Sequence, residues 1–288
     1  MTTALVTGAA GFLGRHLVPA LTAVYGTVDT VDLVAGSGDL RDALPSLPRY
    51  DAVFHLAAAV GGRAGIEGEP LRVAGNLALD VAFFDYVART RPAHAAYLSS
   101  SAVYPAPGGT PYREESVHPR APRLGLPDGT YGWVKLTGEH LAAVVRERTG
   151  VPVVCYRPFS VYGPDQGGEY PVPAIAARAL AREDPLTLWG SGRQTRDFVH
   201  VDDAIAAIVA THREDVESLN VCTGAGTDFL TLARLCADAV GYDPCIAGDT
   251  SRPNGVGHRV GSPDLLARWF TASTTVEDGV RRVVSALA

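Results

Sequence analysis

Glycines at positions 8, 11 and 14, in "TGAAGFLG", stand directly behind the apolar run "ALV" and open a stretch of helical period. A strand that ends on such a turn and runs straight into a helix is a restrictive unit. Gly8 permits a tight turn, Gly11 lets the backbone approach a ligand, and Gly14 lets the helix pack close to the sheet. The free N–H groups and positive dipole at the helix start suit a pyrophosphate. Alone, the same spacing also fits a structural bend.

The rest of the chain repeats the unit. "TVDTVDLV", "DAVFHLAAA", "AAYLSSSAVY" and "VPVVCYRPFSVYG" are short β-branched or apolar runs. They alternate with "FLGRHLVPALTAVYG", "PLRVAGNLALDVAFFDYVARTRP" and "YGWVKLTGEHLAAVVRERTG", which have helical period. This alternation predicts an α/β fold: a Rossmann-type, doubly wound parallel sheet with helices on both faces and ligands along one edge. The Pro/Gly-rich stretch from Pro105 to Gly129 reads as a long binding loop. Beyond Gly163, "GPDQGGEYPVPAIAARALARED" reads as loop then helix, and "LTLWGSGRQTRDFVHVDDAIAAIVATH" as strand, turn and helix. A small α/β cap follows. The organisation expected is a cofactor-binding domain over 1–163, re-entered at about 196–222, and a smaller C-terminal α/β substrate-binding domain from 164–195 and 223–288.

Composition narrows the partners. A net charge of −6 over 288 residues, with no run of lysines or arginines, gives nucleic acid or an anionic membrane nothing to hold. No apolar segment has membrane-spanning length and no signal-type N-terminus is seen, so a soluble, cytoplasmic protein is expected. Cys155, Cys222, Cys236 and Cys245 form no Cys-x-x-Cys pair, which argues against a zinc site or a disulfide framework. His55, at a strand end, reads as a hydrogen-bonded core imidazole rather than a metal ligand.

Three groups of residues point to chemistry. Asp32 closes the second strand about twenty residues beyond the glycines, where a carboxylate accepts ribose hydroxyls and repels a 2′-phosphate. That favours NAD over NADP; Asp29 competes for the role. Tyr131 and Lys135 share one face of a helix at i and i+4, and an ammonium beside a phenol favours phenolate, a general base. Ser99, Ser100 and Ser101 put hydroxyls at a strand end, and some of them are also suited to capping the next turn.

Together, "TGAAGFLG", "SSSAVY" and "YGWVK" resemble the extended short-chain dehydrogenase/reductase superfamily, in its NAD-dependent nucleotide-sugar epimerase/dehydratase branch. "GDLRD", "FHLAA", Asn76, "RPFSVYGP", "WGSGRQTRDFVHVDD", "NVCTG" and "SRPNG" extend the resemblance over nearly the whole chain. It implies NAD held by Gly8, Gly11, Phe12, Leu13, Gly14, Asp32, Asp39, Leu40, Leu56, Ala57, Ala58, Asn76, Tyr131, Lys135 and Pro158. Tyr131 is then the base and Lys135 its partner, with Ser100, or Ser101, bonding the reacting hydroxyl. A nucleotide-diphosphate sugar is the implied substrate, with Ser101, Tyr104, Ser160, Arg196 and Arg252 as its contacts and the two arginines on the diphosphate. A homodimer through the helices near 76–90 and 131–150 is implied as well.

Departures from the family pattern bear on the reaction. The acid–base pair that 4,6-dehydratases carry after their serine or threonine is here Ser101 and Ala102. "VGG", "AVYP" and "LWGSGRQTRDFVHVDD" look most like GDP-fucose synthase and GDP-mannose 3,5-epimerase. Ala102 stands at the cysteine of those enzymes and Tyr170 at the histidine, while Ser160 replaces a usual asparagine. What remains is the minimal set for reversible hydride transfer, so a 4-epimerase is expected. A 4-ketosugar reductase, a dehydratase using Glu114 or Glu115, and a non-catalytic NAD-sensing or scaffold protein are the alternatives.

Overall fold

β1 (Thr3–Thr7) runs into α1 (Phe12–Thr22), followed by β2 (Thr27–Val31), α2 (Leu40–Ala43), β3 (Ala52–His55), α3 (Arg63–Gly68), α4 (Pro70–Ala74) and α5 (Asn76–Thr90). β4 (His94–Leu98), α6 (Gly129–Thr149) and β5 (Val153–Pro158) continue the alternation. The computed structural model describes residues 2–288 apart from 34–35, 37, 107–110, 120–124 and 253–254. Parts of the long loop and of "SRPNG" thus lie outside the described residues.

The second half comprises β6 (Ser160–Tyr162), α7 (Pro171–Leu180), β7 (Leu186–Trp189), β8 (Thr195–His200), α8 (Val201–Thr211) and β9 (Ser218–Val221). β10 (Gly226–Asp228), α9 (Phe229–Val240), β11 (Ile246–Asp249), β12 (His258–Arg259) and α10 (Val276–Leu287) complete it.

Six parallel strands form the large sheet in the order β2-β1-β3-β4-β5-β9. β2 and β3 flank β1, so the winding reverses between β1 and β3 and a crevice opens beyond their C-terminal ends. The central strands are apolar throughout because both faces are covered. Leu17, Leu21, Ile205 and Ile208 of α1 and α8 cover one face, and Phe83, Phe84, Val87, Ala142 and Val145 of α5 and α6 the other. Edge strand β2 is largely exposed, which accounts for its polar residues. The expected doubly wound sheet is present.

β8 pairs with β6, β10 and β12 in a second sheet, and β7 with β11 in a third. Helices α7, α9 and α10 pack with them through Val172, Ile175, Leu232, Val280 and Val283. Where the sequence suggests one strand before the α8 helix, there are two, because Gly190 and Gly192, both at positive φ, turn the chain between β7 and β8. Segments α8 and β9 lie on the large sheet, whereas β8, within the stretch expected to re-enter it, lies in the second sheet. Asp197, fully buried in β8, accepts from the N–H groups of Thr223, Gly224 and Gly261 and fixes the loops beside it. No described helix is long and apolar enough to cross a membrane.

Candidate active site

The glycine turn lies at the crevice between β1 and β3. Gly8 has φ +75°, and a Cβ there would stand 2.5 Å from Ala57 N; a Cβ on Gly14 would stand 2.3 Å from Gly8 O. Both positions therefore exclude a side chain. Gly11 is different: its Cβ would meet only Gly8 O, at 3.2 Å, so space above the turn is open. The first bond of α1 runs from Arg15 N–H to Gly11 O, which leaves the N–H groups of Phe12 and Leu13 ahead of the helical ladder. Asp32 Oδ2 accepts from Ala10 N–H at 2.9 Å and so braces the turn. Its competitor Asp29 accepts instead from Tyr50 Oη at 2.6 Å.

Neighbouring elements shape the crevice from behind. Asn76 is fully buried, and its amide both accepts from Ala59 N–H (2.6 Å) and donates to Ala59 O (2.9 Å). With both ends of the amide taken, Asn76 holds the partly exposed Leu56–Ala58 segment in place. Asp39 caps α2 and pairs with Arg41, whose guanidinium pulls its carboxyl down to about 2. Leu40 is buried in the core.

The serine cluster separates into three roles. Ser99 Oγ donates to Glu139 Oε1 at 2.6 Å beneath the sheet edge. Ser100 caps the turn Ser101–Val103 by accepting from Ala102 N–H (3.1 Å), and its hydroxyl lies beside the Tyr131 phenol, whose pKa it lowers. Ser101 is buried at 8% exposure. Of Ser100 and Ser101, the geometry brings Ser100 to the phenol.

Tyr131 and Lys135 occupy one face of α6. This helix docks closely on the serine turn because Gly132 has no side chain: a Cβ would lie 2.3 Å from Ala102 O. Lys135 Nζ is 6.0 Å from the Tyr131 ring centroid and 4.8 Å from that of Tyr97. Lys135 is 3% exposed and makes no hydrogen bond to the described residues. Burial pulls its pKa below the usual lysine range, against Asp80, Cys155 and Glu139, which push it up. Burial, then the neighbouring Tyr170 and Asp80, hold the Tyr131 phenol above its ordinary range, and the Ser100 hydroxyl opposes them. The resting phenol is thus protonated.

The other expected residues differ in their surroundings. Tyr104, expected at the substrate, is fully buried: its hydroxyl donates to Asn220 Oδ1 (2.7 Å) and accepts from Arg157 Nη1 (2.9 Å). It holds the core. Glu114, the alternative acid, is 8% exposed and accepts from Asn220 N–H at 2.8 Å, while Glu115 is exposed. Pro158 and Ser160 are half-buried at the ends of β5 and β6. Arg196 Nη1 donates to the carbonyls of Val256 (2.7 Å) and Thr195 (2.8 Å). Arg252 lies over Trp189, 5.4 Å from its ring centroid.

Some residues escaped the sequence reading. Arg157 and Glu139 form a buried bidentate pair, with Nε–Oε1 2.8 Å and Nη2–Oε2 2.7 Å. Arg259, at 8% exposure, pairs through Nη1 with Asp128 (3.1 Å), while its buried Nε and Nη2 lack hydrogen-bond partners among the described residues. One composition signal was available for Lys135. It is the only lysine in the sequence, every other Lys+Arg position being arginine.

Comparison with known proteins fits this geometry. The chain belongs to the NAD dependent epimerase/dehydratase family, whose model matches residues 4–222. Among its relatives, the dTDP-4-dehydro-6-deoxy-D-allose reductase of Streptomyces bikiniensis is 31% identical over 293 residues, covering 92% of this chain and 87% of that protein. The UDP-N-acetylglucosamine 4-epimerase of Methanobrevibacter ruminantium M1, solved with UDP-N-acetylmuramic acid, superposes with TM-score 0.87 at 26% identity, covering 99% of this chain and 97% of that one. The UDP-glucose 4-epimerase of Thermus thermophilus, solved with NAD, gives TM-score 0.83 at 26% identity, with 99% of each chain covered.

Proposed function

We propose that the protein is an NAD-dependent nucleotide-sugar 4-epimerase. The observation that carries this reading is the Tyr131 phenol set beside the Ser100 hydroxyl and next to the buried Lys135. It supplies what alcohol–ketone interconversion needs. The residues present fit the cofactor: Gly8 and Gly14 shape the turn, Gly11 leaves it open, Phe12 and Leu13 offer N–H groups, and Lys135 offers donors to a ribose. Asp32 is placed beside the same turn. NAD supplies a reversible acceptor for one hydride from the sugar carbon.

In the proposed cycle Tyr131 first gives its own proton to solvent; as phenolate it then takes the hydroxyl proton while Ser100 bonds the C4 oxygen and the C4–H bond breaks, leaving a ketone. Lys135 stabilises the phenolate by its positive charge. After the ketosugar turns, hydride returns to its other face and Tyr131 gives the proton back. Bonds and charge balance without an external reductant. Arg196 and Arg252 are the proposed diphosphate contacts during the turn. Loss of water needs a further acid, and Glu114 is engaged with Asn220, which weighs against a dehydratase.

A homodimer through α5 and α6 remains part of the proposal; Val81 and Trp133 are exposed on those helices. A ketosugar reductase is the second reading, favoured by the identity to the Streptomyces enzyme. Incubation with a panel of UDP-, GDP-, dTDP- and ADP-sugars in deuterium oxide, followed by NMR, tests the proposal. A C4-inverted product free of solvent deuterium is expected. Deuterium at C3 or C5, or elimination of water, would refute it.

A further inference from the structure

Beneath the reacting edge, a chain of buried polar groups runs from the end of β1 to Lys135. Thr7 Oγ1 lies 2.7 Å from His55 Nδ1, His55 Nε2 lies 3.1 Å from Asp80 Oδ1, and Tyr97 Oη donates to Asp80 Oδ2 at 2.8 Å. Thr7, Asp80 and Tyr97 are fully buried and His55 is 1% exposed. His55 also stacks on Phe83, with ring centroids 4.4 Å apart. Burial lowers the His55 pKa, so the ring is neutral. The hydrogen bonds then assign its proton to Nε2, which donates to Asp80, while Nδ1 accepts from Thr7.

A carboxylate this deep needs donors and a counter-charge. His55 and Tyr97 supply the donors, and neither is a cation. Lys135 is the complementary case: a buried ammonium, packed over the ring of the same Tyr97, with no hydrogen-bonded anion among the described residues. We infer that Asp80 is the buried counter-ion of Lys135, a positioning residue that acts on the Ser100–Tyr131–Lys135 set across the ring of Tyr97.

The surrounding charges leave that role to Asp80. Glu139 faces Lys135 from α6 but is already bound to Arg157. Cys155 faces it from β5, and burial pushes that thiol far up, so it carries no charge. Burial pushes the Asp80 carboxyl up too, yet Lys135, His55 and Tyr97 outweigh it and hold the group below the ordinary carboxylate range. Asp80 in turn raises the proton affinity of both Lys135 and Tyr131. Removing its charge lowers both, so a pH–rate profile governed by the two groups moves to lower pH as a whole.

The inference rests on the proposed role of Tyr131 and Lys135, and its test uses no turnover. Because Lys135 is the only lysine, protein labelled with [ε-13C]lysine gives one lysine side-chain resonance, whose titration reports Lys135 directly. Asp80→Asn removes the charge and keeps the hydrogen bonds: its oxygen accepts from Tyr97, its NH2 donates to His55, and the imidazole proton moves to the Thr7 side. The Lys135 midpoint is expected to fall by about one pH unit or more. Asp80→Thr, a second neutral variant, guards against a folding defect in the first and is expected to give the same direction. Tyr97→Phe keeps both charge and ring and is expected to leave the midpoint near wild type.

A folded neutral variant with the wild-type midpoint overturns the inference. So does a Tyr97→Phe shift as large as that of Asp80→Asn, which would assign the effect to packing. In either case the 4-epimerase reading stands or falls separately, on its products.

Discussion

Tyr131→Phe is expected to slow C4 oxidation by about 10²–10⁴-fold, the range typical of a positioned acid–base group. The variant deletes one oxygen. It leaves the ring over Lys135 and the docking of α6 on Ala102, so the fold stays. The phenol's contact with the Ser100 hydroxyl is lost, which changes stability by no more than the scale of one hydrogen bond, about 1.5 kcal/mol. Stopped-flow absorbance of bound NADH, formed on mixing with a sugar that the wild type epimerises, measures the step. Wild-type rates in Tyr131→Phe would show that another group takes the proton, and Tyr170, beside the phenol, would be the next candidate.

Glu139→Gln is expected to destabilise the protein by about 3–5 kcal/mol, because it leaves a buried guanidinium without its anion. Arg157 is 1% exposed, and both oxygens of Glu139 accept from it. A glutamine presents one oxygen and one NH2 to the guanidinium, so one side of the fork faces a donor. The same carboxylate accepts from Ser99, adjacent to Ser100, so the serine turn loosens as well. Urea unfolding measures the loss as a lower midpoint at unchanged slope. A change under about 1 kcal/mol would place Arg157's stabilisation in its bonds to Tyr104 and the carbonyls of Glu114 and Val117, a value typical of ordinary hydrogen bonds.

What the sequence made legible follows from local periodicity. A helix that must bury one face and a strand buried on both leave their periods in the chain, so the alternation predicts the large sheet. Glycines that must lie close to Ala57 and to Gly8 O leave a spacing. Tyr131 and Lys135 are legible because i and i+4 share a helix face whatever packs against it. By contrast, the inward turn of Tyr104 depends on Asn220, 116 residues away, and the engagement of Glu114 on the same residue, 106 away. No local pattern records such pairs. The same holds for Asp80: its place in α5 looks like one more helical acid until β3, β4 and α6 assemble around it. The sequence suggests only one strand before α8; the second, β8, takes its place through pairing with β6, β10 and β12.

The central claim is that hydride leaves C4 and returns to C4 within one binding event. The direct test is a nucleotide sugar deuterated at C4, incubated with the purified protein without added cofactor and analysed by NMR and mass spectrometry. A C4-inverted product that keeps its deuterium at C4 is the predicted result. Loss of the label to solvent or to an added pool of NAD, or a product whose C4 configuration is unchanged, would contradict it.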